Sequence, residues 1–324
     1  MSKTISQEVS NAVSDVIIAL IPITFVASFV FGFKALLVLA SCMLGAVAGE
    51  IFARKIKGEK ASLNDGKALL TGLLLALILP TAPWWVVIPL YTSGGFLATA
   101  LFREYFGVLG LNRFNPALLA WLFLLIARTG LVYLAPFLLQ FNPSLEPWLL
   151  VDTVTGATPL IMSAAYGLTV LSNSNIFLIY LGGVLGEASG IALLLGAAYL
   201  LYKGHISWHI PASILGTVFL LTAVLGQDPL FHVLAGGVFL GAFFIATDWA
   251  TSPVSDKGKV IFGIGIGILT VFFRLYAAPY WVPVGGVAFA ILIMNAFVPA
   301  IDRSTGRIKI AALTGTEHET EHAG

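Results

Sequence analysis

Thr99-Ala100-Leu101-Phe102-Arg103-Glu104-Tyr105 is matched 171 residues further on by Thr270-Val271-Phe272-Phe273-Arg274-Leu275-Tyr276, and Thr81-Ala82-Pro83 is matched by Thr251-Ser252-Pro253 at an offset of 170. Two matches at a nearly constant offset point to an internal duplication, with an arginine at the end of an apolar run in each copy. The surrounding composition says where such a duplication lives. Of 324 residues, 58% are hydrophobic and 10% charged, and the mean hydropathy is +0.96. That is too apolar for a water-soluble domain, and it suffices for about nine to eleven crossings of a hydrocarbon layer. A soluble enzyme is excluded. So is a nucleic-acid partner, because the net charge is +1 and no basic block is present.

Apolar runs over Val16 to Phe33, Ala35 to Phe52, Ala68 to Phe102 and Pro116 to Leu134 form the first half. Runs over Ile176 to Tyr202, Ile206 to Leu225, Phe231 to Thr247, Val260 to Tyr276 and Trp281 to Ile301 form the second. Pro80, Pro83 and Pro89 interrupt the long Ala68 to Phe102 run. Each proline removes an amide donor and clashes with the preceding turn, so the run reads as two crossings, at least one of them short or broken. The first run is long enough to span and reads as a retained anchor rather than a cleaved leader.

Ten crossings place both termini on one side. With the N-terminus inside, fourteen of the seventeen Lys and Arg residues fall inside, and only Lys34, Arg128 and Arg274 lie at outer ends. The expected organisation is an all-α integral membrane protein of about ten helices in two five-helix repeats. Residues 1–134 form the first repeat, 135–175 an outer loop, 176–310 the second repeat and 311–324 a disordered inner tail. Five crossings separate the copies, so the second is inverted, an arrangement that places broken helices near the midplane around a solute or ion path.

The outer loop contains Asp152-Thr153-Val154-Thr155-Gly156-Ala157-Thr158-Pro159-Leu160. Thr158 before Pro159 fits a helix N-cap with proline at the first helical position, a purely structural role. The stretch also resembles the flavinylation sequence Asp-x-x-Ser/Thr-Gly-Ala-Thr, in which a flavin transferase esterifies the FMN phosphate onto the final threonine. A second stretch, Gly241-Ala242-Phe243-Phe244-Ile245-Ala246-Thr247-Asp248-Trp249-Ala250-Thr251-Ser252-Pro253, is similar to one found in the RnfD family, the D-type membrane component of the Rnf complex. A close relative of that family is the NqrB component of the sodium-pumping NADH:quinone reductase. The short N-terminal stretch before the first run favours the Rnf relative over the reductase component.

The resemblance implies a urea-transporter-like inverted-repeat fold in the inner, cytoplasmic membrane. It also implies a place among the other subunits of a complex that exchanges electrons between ferredoxin and NAD and moves Na⁺ or H⁺. Thr158 becomes the site of covalent FMN. Asp152, Thr155, Gly156 and Ala157 become the stretch that the transferase recognises, with Gly156 allowing close backbone approach. A second, non-covalent flavin, riboflavin, is implied without a motif to locate it. No glycine fingerprint for NAD is present, so nicotinamide chemistry belongs to a partner, and the residues assign no catalytic acid, base or metal site to this chain. The rival reading from another class is a flavin-free solute channel or secondary transporter on the same repeats.

Two acids lie within or beside the apolar runs. Glu187, in Gly182-Gly183-Val184-Leu185-Gly186-Glu187-Ala188-Ser189-Gly190, falls near the middle of a crossing. It serves either cation or proton handling or an interhelical hydrogen bond. Asp248, beside Thr247 and Thr251, binds a cation, contacts a flavin or caps a broken helix. Arg103 and Arg274 read as interfacial anchors, His205, His209 and His232 as interfacial residues, and Trp84, Trp85 and Trp281 as an aromatic belt. Cys42 is the only cysteine, so no intrachain disulfide or cysteine-held cluster forms.

Overall fold

The computed structural model describes residues 2–58, 65–106, 113–127, 177–179, 183–277 and 286–305. Among them the architecture is helical throughout. Two long helices open the chain, α1 (Ser2–Phe31) and α2 (Phe33–Ile56). Gly32 joins them at φ +60°, a conformation that costs glycine nothing and lets two spans turn back within a single residue. The polar N-terminal stretch continues α1 rather than preceding it.

Helix α3 (Lys67–Leu77) is only eleven residues long and stops ahead of Pro80 and Pro83. Helix α4 (Trp84–Tyr105) follows, and its last turns, Ala98–Tyr105, widen to π geometry around Arg103. The proline-rich run is thus two helices with a break between them, as its prolines require. Helix α5 begins at Pro116 and is described to Ala127.

In the second half, α6 (Gly190–Tyr202), α7 (His209–Val224), α8 (Pro229–Leu234), α9 (238–245), α10 (Asp256–Tyr276) and α11 (Val287–Ser304) follow in order. Five helices are long and apolar enough to cross a membrane by length and composition: Val9–Phe31 within α1, then α2, α4, α10 and α11. The starts of α5 at Pro116 and of α11 at Val287 keep the offset seen in the sequence, and Arg103 and Arg274, at that same offset, each lie in a π-type turn, Ala98–Tyr105 and Phe273–Ala277.

Two runs expected as continuous crossings are broken. The segment ahead of Gly190 is a 3-10 turn, Leu185–Glu187, rather than helix. Its backbone leaves the helix because Gly183 takes φ +84°. The run from Phe231 to Thr247 breaks at Ala235–Gly237, where Gly236 and Gly237 both take φ +69°. The interrupted segments satisfy one another's backbone groups. Pro80 pairs with Val184 in an antiparallel bridge, the Leu185 N–H donates to the Leu79 carbonyl at 3.3 Å, and the Tyr91 hydroxyl donates to the Pro80 carbonyl at 3.0 Å. Buried non-helical backbone is tolerated inside a membrane protein where protein partners of this kind replace water.

Small residues set the helix spacing. A Cβ on Gly45 of α2 would press into the Thr92 carbonyl of α4, and one on Gly95 of α4 into the Cys42 carbonyl of α2. The two backbones therefore approach as closely as glycine permits, the usual device where apolar side chains gain nothing by leaving lipid. Cys42 is buried in that contact.

Candidate functional site

Two polar arrays stand out in an otherwise apolar bundle. The first surrounds a cavity of about 640 Å³ at the face carrying Arg54, Lys57, Lys67 and Arg103. Leu74, Leu200, Phe243 and Phe244 supply apolar wall, and Asn115, Thr247, Asp248 and Thr251 supply a polar edge.

That edge is built from two helix ends. Proline at position 116 starts α5, and Asn115 caps it, its Oδ1 accepting from the Ala117 and Leu118 N–H groups at 3.0 and 3.3 Å. The Asn115 amide reaches Asp248 Oδ2 at 3.4 Å. Asp248 closes the turn after α9, accepting from the Ala250 N–H at 3.3 Å and from the Thr251 hydroxyl at 3.4 Å. With its amide turned to meet both partners, Asn295 of α11 donates to the Thr251 carbonyl and accepts from the Asn115 N–H at 3.1 and 3.3 Å. Asn115, Thr251 and Asn295 are all buried.

Glu50 anchors the basic wall. Its carboxylate is fully buried and meets Arg54 at 2.5 Å and Arg103 at 3.0 Å. Arg54 also faces Asp65 at 3.5 Å, and Lys57 pairs with Glu104 at 2.7 Å. Arg103 is therefore an ion-paired wall residue rather than a free interfacial anchor. Behind His205, which also lines the cavity, Asp15 of α1 receives the Tyr199 hydroxyl at 2.5 Å and His205 Nε2 at 2.6 Å. A further neighbour, Lys203, stands 3.8 Å away.

The second array lies at the break between α8 and α9. Asp228 caps α8, accepting from the Leu230 and Phe231 N–H groups at 3.0 and 3.1 Å. Past the last turn, Arg274 donates to the carbonyls of His232, Ala235 and Gly236, the latter two at 2.7 and 3.1 Å. Arg274 is only 6% exposed and His232 5%. Neither is interfacial, which corrects the expectation from sequence for both. A helix end that stops within the bundle leaves carbonyls that water cannot reach, and the guanidinium fork supplies the missing donors. Glu187 faces the same break. Its Oε1 lies 3.6 Å from where a Cβ on Gly237 would stand, and Arg274 is the charge that acts on it. Glu187 is half-buried on a 3-10 turn, not at the middle of a continuous helix.

Asp248 and Glu187 thus occupy different arrays. Asp152, Thr155, Gly156, Ala157 and Thr158 lie outside the described residues. Sequence reasoning missed Asn115, Glu50 and the Asp15–His205 pair. The Asn-Pro step at 115–116 and the Glu-x-x-x-Arg spacing at 50–54 were legible signals; the pairing of Asp15 with His205 was not. No group of His, Cys, Asp and Glu residues among the described residues could hold a metal ion.

A family model described as the NQR2, RnfD, RnfE family matches residues 4–310. The chain is 41% identical over 301 residues to the D component of the Na(+)-translocating ferredoxin:NAD(+) oxidoreductase complex of Acetobacterium woodii, covering 91% of this chain and 89% of that protein. It is 38% identical to the D component of the proton-translocating ferredoxin:NAD(+) oxidoreductase complex of Clostridium ljungdahlii, covering 94% and 92%. It is 35% identical to the D component of the ion-translocating oxidoreductase complex of Methanosarcina acetivorans, covering 92% and 90%.

Proposed function

The chain belongs to the NQR2, RnfD, RnfE family, and from that membership we propose that it is the D-type membrane subunit of an ion-translocating ferredoxin:NAD oxidoreductase complex. The observation that carries this reading is similarity along nearly the whole length to proteins named as that subunit. The other subunits of the complex are its partners, and it crosses the membrane several times. The chain acts as an electron-transfer part of a translocase and leaves nicotinamide chemistry to a partner.

In the fuller reading, ten helices form two inverted five-helix repeats in the inner membrane, with both termini and the Arg54–Arg103 face on the cytoplasmic side. Support comes from the matched placement of Arg103 and Arg274 in two π-type turns and from the Lys and Arg distribution. The loop 135–175 faces outward and carries FMN as a phosphoester on Thr158. A flavin transferase attaches it, recognising Asp152, Thr155, Gly156 and Ala157. Attachment keeps a flavin on the outer face from dissociating into a large volume.

The basic-face cavity fits the second, non-covalent flavin, riboflavin. Its volume suits a ligand of that size. Phe243 and Phe244 offer apolar surface to a flat ring, and Asn115, Thr247, Asp248 and Thr251 offer donors and acceptors to its polar edge. When bound, such a ring supplies electron transfer in single or paired steps. These residues hold and orient it. Asp248, at this edge, and Glu187, at the α8–α9 break, are the chain's candidates for handling Na⁺ or H⁺.

The test is direct. Produced with its transferase, the chain is heavier by one FMN on the peptide containing Thr158, and it fluoresces on a denaturing gel. Thr158→Val abolishes both signals, and a fluorescent band that persists in the variant overturns the assignment.

A further inference from the structure

We propose that His205 gives protons to, and takes them from, the ligand of the basic-face cavity, with Asp15 holding its ring. The inference rests on the reading that this cavity holds the non-covalent flavin. His205 lines the cavity from the turn between α6 and α7. Its Nε2 meets Asp15 Oδ2 at 2.6 Å. A carboxylate at one ring nitrogen keeps that nitrogen protonated and leaves the other to exchange the proton. Nδ1, the other nitrogen, has no hydrogen-bond partner among the described residues. The backbone is pinned as well, because the His205 carbonyl accepts from Trp249 Nε1 at 2.7 Å.

Behind the imidazole, Tyr199 donates to the second oxygen of Asp15 at 2.5 Å. Lys203, 44% exposed, carries the array to water. This is a base, its orienting acid and a third group behind them, the constellation that proton transfer requires. Asp15 of α1 pairs with the imidazole, and Lys203, at the end of α6, stands beside Asp15. The charged groups that line the same cavity are Arg54 and Lys57 at the end of α2, Asp65 and Lys67 at the start of α3, Arg103 and Glu104 of α4, and Asp248 from the turn after α9.

Atoms and electrons balance in this step. The step would need two electrons, supplied together or one after the other by reduced carriers in the partner subunits, to the flavin that the cavity residues would hold. The Nδ1–H bond of the His205 imidazolium breaks and an N–H bond forms on the reduced ring. His205 is left neutral with its proton on Nε2, and it regains a proton from water, to which its side chain is 20% exposed. Oxidation runs the transfer backwards.

The experiment uses the purified complex with His205→Gln, Asp15→Asn and Asn115→Leu introduced separately into this chain. Two quantities are read: acid-extractable riboflavin per complex, resolved chromatographically from FMN, and the stopped-flow rate at which that flavin is reduced between about pH 6 and 9. His205→Gln is expected to keep its riboflavin, to be reduced at least about tenfold more slowly, and to lose the pH inflection of the wild type. Asp15→Asn is expected to keep its riboflavin and slow reduction by less. Asn115→Leu is expected to lose riboflavin.

Riboflavin retained in His205→Gln with a wild-type rate and pH profile overturns the proton role and leaves the cavity assignment standing. Riboflavin lost from His205→Gln makes the residue a binding group and also overturns the role. Riboflavin undiminished in Asn115→Leu removes the cavity reading, and the proton role with it.

Discussion

Glu50 shows how one side chain can hold a membrane face together. Its buried carboxylate takes Arg54 from the next turn of α2 and Arg103 from α4. Glu50→Gln keeps the shape and removes the charge, leaving two guanidiniums facing each other. The expected loss is about 3 kcal/mol, at the low end for a buried pair because both arginines are partly exposed. Thermal unfolding of the detergent-solubilised protein measures it. Glu187→Gln is expected to behave differently. Its carboxylate faces a glycine rather than a short-range partner, so the fold should survive. Ion transport coupled to electron transfer should fall while electron transfer remains, as read by ion uptake into proteoliposomes. Unchanged uptake would remove Glu187 from the ion path.

The helices are defined as much by their interruptions as by their lengths. Gly237 and Gly45 separate two reasons for a glycine. At Gly237 an added Cβ meets only Glu187 Oε1 at 3.6 Å, an ordinary contact, so Gly237→Ala is charged only for the left-handed backbone, about 1 kcal/mol. At Gly45 the backbone is helical but the Cβ lands on the Thr92 carbonyl, so α2 and α4 must separate. Gly45→Ala is expected to cost more, on the order of 3 kcal/mol. Paired thermal melts of the two variants decide it, and an equal loss would contradict the close packing of α2 on α4. The prolines make the break at 78–83 legible in the sequence. The breaks at 183–189 and 235–237 are not, because their glycine-containing runs are equally at home in a tightly packed membrane helix.

The proposed two-repeat arrangement makes a sidedness prediction for the assembled protein. Cys42 is the single cysteine and is buried, so Cys42→Ser provides a background for placed thiols. Lys57→Cys, beside the basic-face cavity, is expected to react with a membrane-impermeant maleimide only from the inner side. Gln227→Cys, exposed between α7 and α8, should react only from the outer side. Labelling of both from one side would break the inverted topology while leaving the helical bundle intact.

The apolar runs, the proline interruptions, the charge bias and the stretch that resembles a flavinylation sequence are local properties of the chain. Each follows from hydropathy, backbone freedom or a contiguous motif, and so is readable without a fold. The placement of the buried charges is not. Arg274 reads as an interfacial anchor until the chain is folded, because nothing near it in sequence reveals the carbonyls of His232, Ala235 and Gly236 that it serves. Asp15 and His205 are 190 residues apart and become a pair only when α1 packs on α6. Electrostatic partners are chosen by proximity through space, and in lipid the penalty for an unpaired charge makes that choice decisive. Only packing could therefore assign those charges, and only packing could enclose the basic-face cavity.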